Sequence, residues 1–253
     1  MSAPVLWQYN FSNFNEKARW ALDFKGVSHV RRSLLPGGPR AMAFSRRGTV
    51  PVLDMDGGRI ADSTRIIAAL ERRYPQPALY PDDPSDRSAA LELEDFFDEE
   101  AGHELRRAGF YEWRTNPGFV SDLLTTGRGR ATRVFMRAVL PGAMVYARRR
   151  YRIYPADAEQ ARAKLTTALD RIVAEVNPSG YLVGDSFTVA DLTAAALLFP
   201  LAMPAELQYR LPELPDWGEL RPQAQHPATD WIREIYRRHR APSPAASREP
   251  VRA

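Results

Sequence analysis

From residue 5 to residue 74 the chain alternates short β-prone runs with amphipathic ones. Residues 5–9 (VLWQY) form the first run, and polar residues 10–15 follow as a loop. From Glu16 to Lys25, Ala18, Ala21, Leu22 and the Lys25 stem recur at i, i+3, i+4 and i+7, the spacing of one helix face. Gly26 stands where a left-handed helix cap is expected. Residues 29–35 read as a second strand, broken by Pro36-Gly37-Gly38-Pro39, and a short helix is expected next. Residues 50–54 and 59–61 flank Asp56-Gly57-Gly58, a hairpin signal. Asp62 or Ser63 then caps a helix to Tyr74 that gathers Ile66, Ile67, Leu70 and Tyr74 on one face.

Residues 75–86 (PQPALYPDDPSD) are rich in Pro and Asp and read as a linker, beyond which strand patterns stop. Residues 85–107 read as an acidic helix anchored by Leu91, Phe96, Phe97 and Leu105. Residues 122–150 read as a helix or a broken one, interrupted by Gly127, Gly129 and Pro141-Gly142. An amphipathic helix is expected over 158–176, ended by Pro178-Ser179-Gly180, and a last one over 227–239. Residues 188–199 are apolar nearly all round and are expected to be buried. The pattern divides the chain into an α/β domain (1–78), a linker (79–86), an all-helical domain (87–240) and a tail (241–253) expected to be disordered.

Composition changes this picture in two ways. The chain has no cysteine, which excludes a disulfide framework, a thiolate metal site and a cysteine nucleophile. The four histidines, 29, 103, 226 and 239, have no ligand spacing, so no metal is expected. The cations are almost all arginine, and nine of them fall within 110–155 against only Glu112 and Asp122. Such a run reads as a solvated face, or else as a surface for a partner subunit, an anionic substrate or a membrane. Nucleic acid is not expected, because the aromatic–basic recognition motifs are missing. The longest apolar run, 192–203, contains Pro200 and is far shorter than the roughly 20 residues of a membrane helix. No charged start with an apolar core opens the chain, so a cytoplasmic location is expected.

Three features then recur in order. Thr49-Val50-Pro51-Val52-Leu53 places a proline at the opening of a strand, where a cis bond is expected. Asp62-Ser63 opens the helix after the hairpin, which puts an extended backbone edge beside a helix N-terminus and suits an extended ligand with a carboxylate. In Gly184-Asp185-Ser186-Phe187-Thr188-Val189-Ala190-Asp191, Thr188 and Asp191 form a capping box. Over residues 5–240 this combination resembles the glutathione transferase superfamily. The resemblance implies a thioredoxin-like N-terminal domain followed by a C-terminal helical bundle.

Many bacterial members carry a motif like Ser-Pro-Tyr-Cys-Glu-Lys-Val-Arg-Trp-Ala-Leu after the first strand, and here the matching stretch is residues 12–22 (SNFNEKARWAL). Ser12 therefore falls where serine-type members carry their catalytic serine, Asn13 replaces a proline, and Asn15 takes the second redox position. A hydroxyl donating to the glutathione sulfur would favour the thiolate. The resemblance implies that role for Ser12, with the Asn13 amide or the Tyr9 phenol as substitutes. It further implies that the Val50 backbone beside Pro51 pairs with the cysteinyl part of the tripeptide. Ser63 and its helix would take the γ-glutamyl carboxylate, and Asp62 the ammonium. Thr49 stands where many members have Lys or Gln, and Arg40, Arg46 or Arg47 would then hold the glycyl carboxylate. Position alone makes His103, Phe110, Tyr111 and Trp113 candidates for an electrophile pocket between the domains.

The expected activity is a glutathione transferase that attacks a small apolar electrophile in detoxification, as a homodimer with glutathione as cosubstrate. Two alternatives stay open: a silent binding or regulatory protein on the same fold, and a glutathione-dependent isomerase or dehalogenase.

Overall fold

The computed structural model describes residues 3–36, 38, 49–240 and 247–248. The short helix expected after the second strand, and Arg40, Arg46 and Arg47, lie outside them. The sheet is built from β1 (Val5–Gln8), β2 (Val30–Ser33), β3 (Val52–Met55), β4 (Gly58–Ala61) and the two-residue β5 (Ser247–Arg248), in the order β4-β3-β1-β2-β5. β1 runs parallel to β2 with Val5 opposite Val30, and antiparallel to β3 with Leu6 opposite Leu53. The β3–β4 hairpin turns at Asp56 and Gly57, whose φ of 51° and 76° are the left-handed pair that a tight hairpin requires. β5 lies in the expected disordered tail and pairs parallel with β2; the rest of that tail is outside the described residues.

Among the described residues, two helices accompany the sheet. α1 (Asn13–Phe24) starts three residues before the apolar spacing predicts and is followed by Gly26 at φ 64°. α2 (Ser63–Arg73) is N-capped by Asp62, whose carboxylate accepts from the Arg65 N–H. The helical part comprises α3 (Pro84–Phe97), α4 (His103–Glu112), α5 (Pro117–Leu124), α6 (Arg130–Arg150), α7 (Pro155–Glu175), α8 (Val189–Ala202), α9 (Arg221–Ala224) and α10 (Ala228–His239).

Two expectations are corrected. The single helix expected over 85–107 is interrupted by a π-helical turn at Asp98–Gly102, after which α4 runs on to Glu112. Of the interruptions expected within 122–150, the one at Gly127 and Gly129 separates α5 from α6, whereas α6 passes through Pro141 unbroken. Only Met136 and Leu140 of α6 are buried, so solvent is close by to take the carbonyl that a mid-helix proline leaves unbonded.

The main core spans both parts of the chain. Leu6, Trp20, Leu53 and Ile66 join Phe97, Leu165, Leu197 and Tyr236 in one cluster. Every residue of α8 except Pro200 is buried, and the Thr188–Asp191 capping box is formed. Asp191 also accepts from the Leu182 N–H at 2.8 Å, which ties the Tyr181-Leu182 turn to the buried helix.

α1 is held from several sides by charge that is out of water. Lys17 lies 2.9 Å from both Glu94 and Asp98 of the helical part. Arg240, after α10, reaches Glu16 and Asp23 at 2.7 Å each, while Arg19 pairs with Glu16 and Arg31 with Asp23. Opposite charges stripped of solvent fix orientation sharply, because removing either partner strands the other. The start of α1, where the candidate chemistry sits, is therefore a rigid position.

Candidate active site

A cleft of about 1040 Å³ lies between the sheet domain and the helical part. On the sheet side it is lined by Thr49, Val50, Pro51, Asp62, Ser63 and Phe14. On the helical side it is lined by His103, Arg106 and Arg107 of α4, the Arg150-Tyr151-Arg152 turn after α6, and Asp95, Asp98 and Glu99. The residues of the proposed glutathione edge and the start of the second redox-position helix thus meet in one space.

Each sheet-side residue is placed by its local backbone. The Val50–Pro51 bond is cis, and β3 begins at the next residue. Asn15, fully buried on α1, donates to the Val50 carbonyl at 3.4 Å and so ties α1 to this segment. One lone pair of that carbonyl is thereby engaged, and the other is left for a ligand. Asp62 has φ 84°, a region costly for a residue with a side chain, and it persists because its N–H donates to the Pro51 carbonyl and its carboxylate caps α2. The buried Ser63 stands at the first turn of α2, where amide groups without helical partners point outward and attract negative charge. Thr64 donates to Asp98 at 2.7 Å and accepts from Lys17 at 2.8 Å, so α2 is locked to the π-helical turn.

Ser12 is the N-cap residue of α1, with extended backbone angles, but its hydroxyl does not cap the helix and makes no hydrogen bond to the described residues. It is not among the residues that line the cleft; Phe14, on the first turn of the same helix, is. Asn13 is committed elsewhere. Its amide donates to the Gly102 carbonyl at 3.2 Å and the Leu197 carbonyl at 3.0 Å, which uses both of its N–H groups. Asn13 therefore joins α1 to the helical part and has no donor left for a sulfur atom. Tyr9 is half-buried, and burial followed by the neighbouring Tyr151 pushes its phenol up to about 12.

The four electrophile-site candidates separate. His103 lines the cleft, packs against Phe14 with ring centres 4.8 Å apart and planes tilted by 39°, and accepts from Arg106 at 3.1 Å through Nδ1. Burial, then Arg106, hold its pKa below the ordinary value, so the ring is neutral near pH 7. Tyr111 lines a separate pocket of about 450 Å³ with Met144, Val145 and Ile153. Trp113 is buried in a second apolar cluster with Phe119, Val120 and Leu123, and Phe110 packs against that cluster. Trp113 and Phe110 are thus core residues, because the turn after α4 folds that face against α5. Sequence reasoning missed Phe14, Arg106 and Tyr151. The arginine run contained part of the signal, but periodicity cannot show that residues 106 and 151 meet.

No group of residues suited to hold a metal ion occurs among the described residues, and no described helix is long and apolar enough to cross a membrane.

Comparison with known proteins agrees with this geometry. Residues 6–78 match the family model "Glutathione S-transferase, N-terminal domain", and residues 135–237 match "Glutathione S-transferase, C-terminal domain". A maleylacetoacetate isomerase from Pseudomonas aeruginosa is 36% identical over 91 residues, covering 33% of this chain and 43% of that protein, so the match spans less than half of the relative's length. A glutathione S-transferase from Methylobacterium radiotolerans, in complex with glutathione sulfonate, superposes with a TM-score of 0.60 over 100% of both chains at 21% identity. Another from Methylobacillus flagellatus, with glutathione bound, gives 0.62 at 18% identity over 92% of this chain and 93% of that one. With both family domains matched in order, and the sheet edge, cis proline and α2 N-terminus facing one cleft, the chain belongs to the glutathione S-transferase family.

Proposed function

We propose that the chain binds glutathione along the Val50-Pro51 edge and the N-terminus of α2, and activates its thiol with the Ser12 hydroxyl for attack on a small electrophile. The observation that carries this reading is that the Ser12 hydroxyl is spared from capping at the start of a helix held from several sides by buried ion pairs. A free thiol has a pKa near about 8.5 and is mostly protonated at neutral pH. A hydroxyl donating to the sulfur stabilises the anion, and the positive end of α1 acts in the same direction. With no cysteine in the chain, the sulfur chemistry must be the ligand's own and no mixed disulfide with the protein can form.

Glutathione would lie extended, pairing its cysteinyl backbone with Val50 as an added strand does. Its γ-glutamyl carboxylate would meet the amides at Ser63, with Asp62 near the ammonium. The cleft is not apolar: arginines line its helical side, which changes the expectation for the second substrate. The likeness to maleylacetoacetate isomerase favours a second reading, in which the same thiolate adds to a double bond, allows rotation and leaves. The family resemblance and the exposed apolar residues Phe135, Val139 and Tyr146 of α6 support a homodimer. A cytoplasmic role in detoxification completes the reading.

Conjugation of 1-chloro-2,4-dinitrobenzene by wild type and Ser12→Ala tests the assignment. Losing one hydrogen bond to a charged sulfur should slow kcat/KM by about 10- to 100-fold. Equal rates would remove Ser12 from the mechanism. Saturable binding of glutathione without turnover of any electrophile would favour a binding protein instead.

A further inference from the structure

The helical wall of the cleft carries four arginines and four carboxylates, Asp95, Asp98, Glu99 and Glu104, but two of the arginines have no carboxylate partner among the described residues. Arg107 is paired with Glu104, and Arg152 with Asp157 at 2.7 Å. Arg106 and Arg150 have no carboxylate within ion-pair distance among the described residues; both instead lie on one ring, 4.4 and 5.5 Å from the centre of Tyr151. Arg106 is largely enclosed. Its Nη2 donates to His103, and its Nε is buried with no acceptor among the described residues. A buried guanidinium N–H without an acceptor is costly, and a planar oxyanion is the group that relieves that cost. Asp98, on the same wall, is already engaged by Lys17 and Thr64, and Asp62, on the sheet side, by the Arg65 amide of α2.

We infer that Arg106, supported by Arg150 on the Tyr151 ring, is a binding subsite for a carboxylate on the second substrate. The substrate class is then an electrophile that carries a carboxylate, rather than a neutral apolar one. His103 is a positioning residue here, because its Nδ1 holds one edge of the guanidinium. This inference rests on the glutathione-dependent reading for its chemistry but not for its binding, and the two are tested separately.

For the chemistry, 4-chloro-3,5-dinitrobenzoate and its neutral methyl ester present the same reacting carbon with and without a carboxylate. In each, the glutathione sulfur bonds to the ring carbon, chloride leaves and the thiol proton passes to solvent. After correction for the uncatalysed rates, the ratio of kcat/KM for acid over ester should be about 10 or more in wild type. It should fall by about tenfold or more in Arg106→Gln, and by a smaller factor in Arg150→Gln, which is exposed and should fold normally. The change should sit in KM for the acid. A wild-type ratio near one, or a ratio that neither variant moves, overturns the subsite. A rise in the KM for glutathione with the ratio unchanged would assign the arginines to the tripeptide's own carboxylate, and that also overturns it.

For the binding, titration calorimetry with unreactive 3,5-dinitrobenzoate and its methyl ester needs no turnover. Preference for the acid, lost in Arg106→Gln, upholds the subsite even if neither chloride is conjugated, in which case the transferase reading alone fails. Equal binding of acid and ester overturns the subsite whatever the turnover.

Discussion

Replacing Arg240 with Met should destabilise the protein more than any other single change of a charged residue outside the cleft. The Arg240 guanidinium is buried between Glu16 and Asp23, 2.7 Å from each, and both carboxylates are buried as well. Met keeps much of the apolar stem, so the substitution mainly removes charge, and with it the contact of the guanidinium with the Trp20 ring. Glu16 would then keep Arg19, and Asp23 would keep Arg31. Breaking a buried pair by removing one partner costs about 3–5 kcal/mol. The electrostatics of Glu16 point the same way. Burial alone would raise its pKa, but Arg240 and Arg19 outweigh that and bring it from 4.5 to about 2. A shift of that size corresponds to roughly 3 kcal/mol of stability at neutral pH. Because the folded pKa is depressed, this contribution is complete above pH 4.5 and is lost as the pH falls toward 2. Urea denaturation at pH 7 should therefore show a loss of about 3–5 kcal/mol in the variant, and wild type should weaken more steeply than the variant as the pH falls below 4.5. Arg237→Met on the same helix, where the pair with Glu234 is exposed, should change neither result measurably. An Arg240→Met protein within 1 kcal/mol of wild type at pH 7 would refute the claim that the buried cluster fixes α1.

Two further substitutions test neighbouring parts of the structure. A Cβ on Gly102 would lie 2.5 Å from the Phe14 ring, so Gly102→Ala should cost about 1–3 kcal/mol in thermal or urea unfolding and displace Phe14 from the cleft wall. Full stability in that variant would contradict the close approach. His239 stacks on Phe187 and contacts the Tyr181 hydroxyl, and burial followed by Arg238 lowers its pKa from 6.5 to about 4. The stability tied to its neutral form is present above pH 6.5 and is lost as the pH falls through about 4. His239→Phe should flatten the stability profile between those values, and an unchanged slope would exclude His239 as its source.

Local chemistry made much of the frame legible. The i, i+3, i+4 spacing in 16–25 located α1, Asp-Gly-Gly located the hairpin, and Thr188 with Asp191 located the start of α8, because each signal lies within one or two turns of chain. The cis bond at Pro51 was legible for the same reason. What failed was long-range or depended on surroundings. Pro141 reads as a helix breaker, yet α6 tolerates it where little of the helix is buried. The π-helical turn at Asp98–Gly102 follows from Lys17, Thr64 and Asn13 pulling on that segment across the domain boundary, which no local pattern records. The resemblance singled out Ser12 and Asp62-Ser63 and offered Asn13 as a substitute for Ser12, whereas the fold spends the Asn13 amide on Gly102 and Leu197. The Arg106–Arg150 pair escaped notice because the two residues are 44 positions apart and meet only over the ring of Tyr151.

The central claim is that this chain holds glutathione and that Ser12 stabilises its thiolate. Ultraviolet titration of the thiolate in the bound complex tests it most directly. Wild type should lower the thiol pKa from about 8.5 by roughly one to two units, Ser12→Ala should return most of that shift, and Asn13→Ala should leave it in place. An unshifted thiol in wild type, or the same pKa in wild type and Ser12→Ala, would contradict the account.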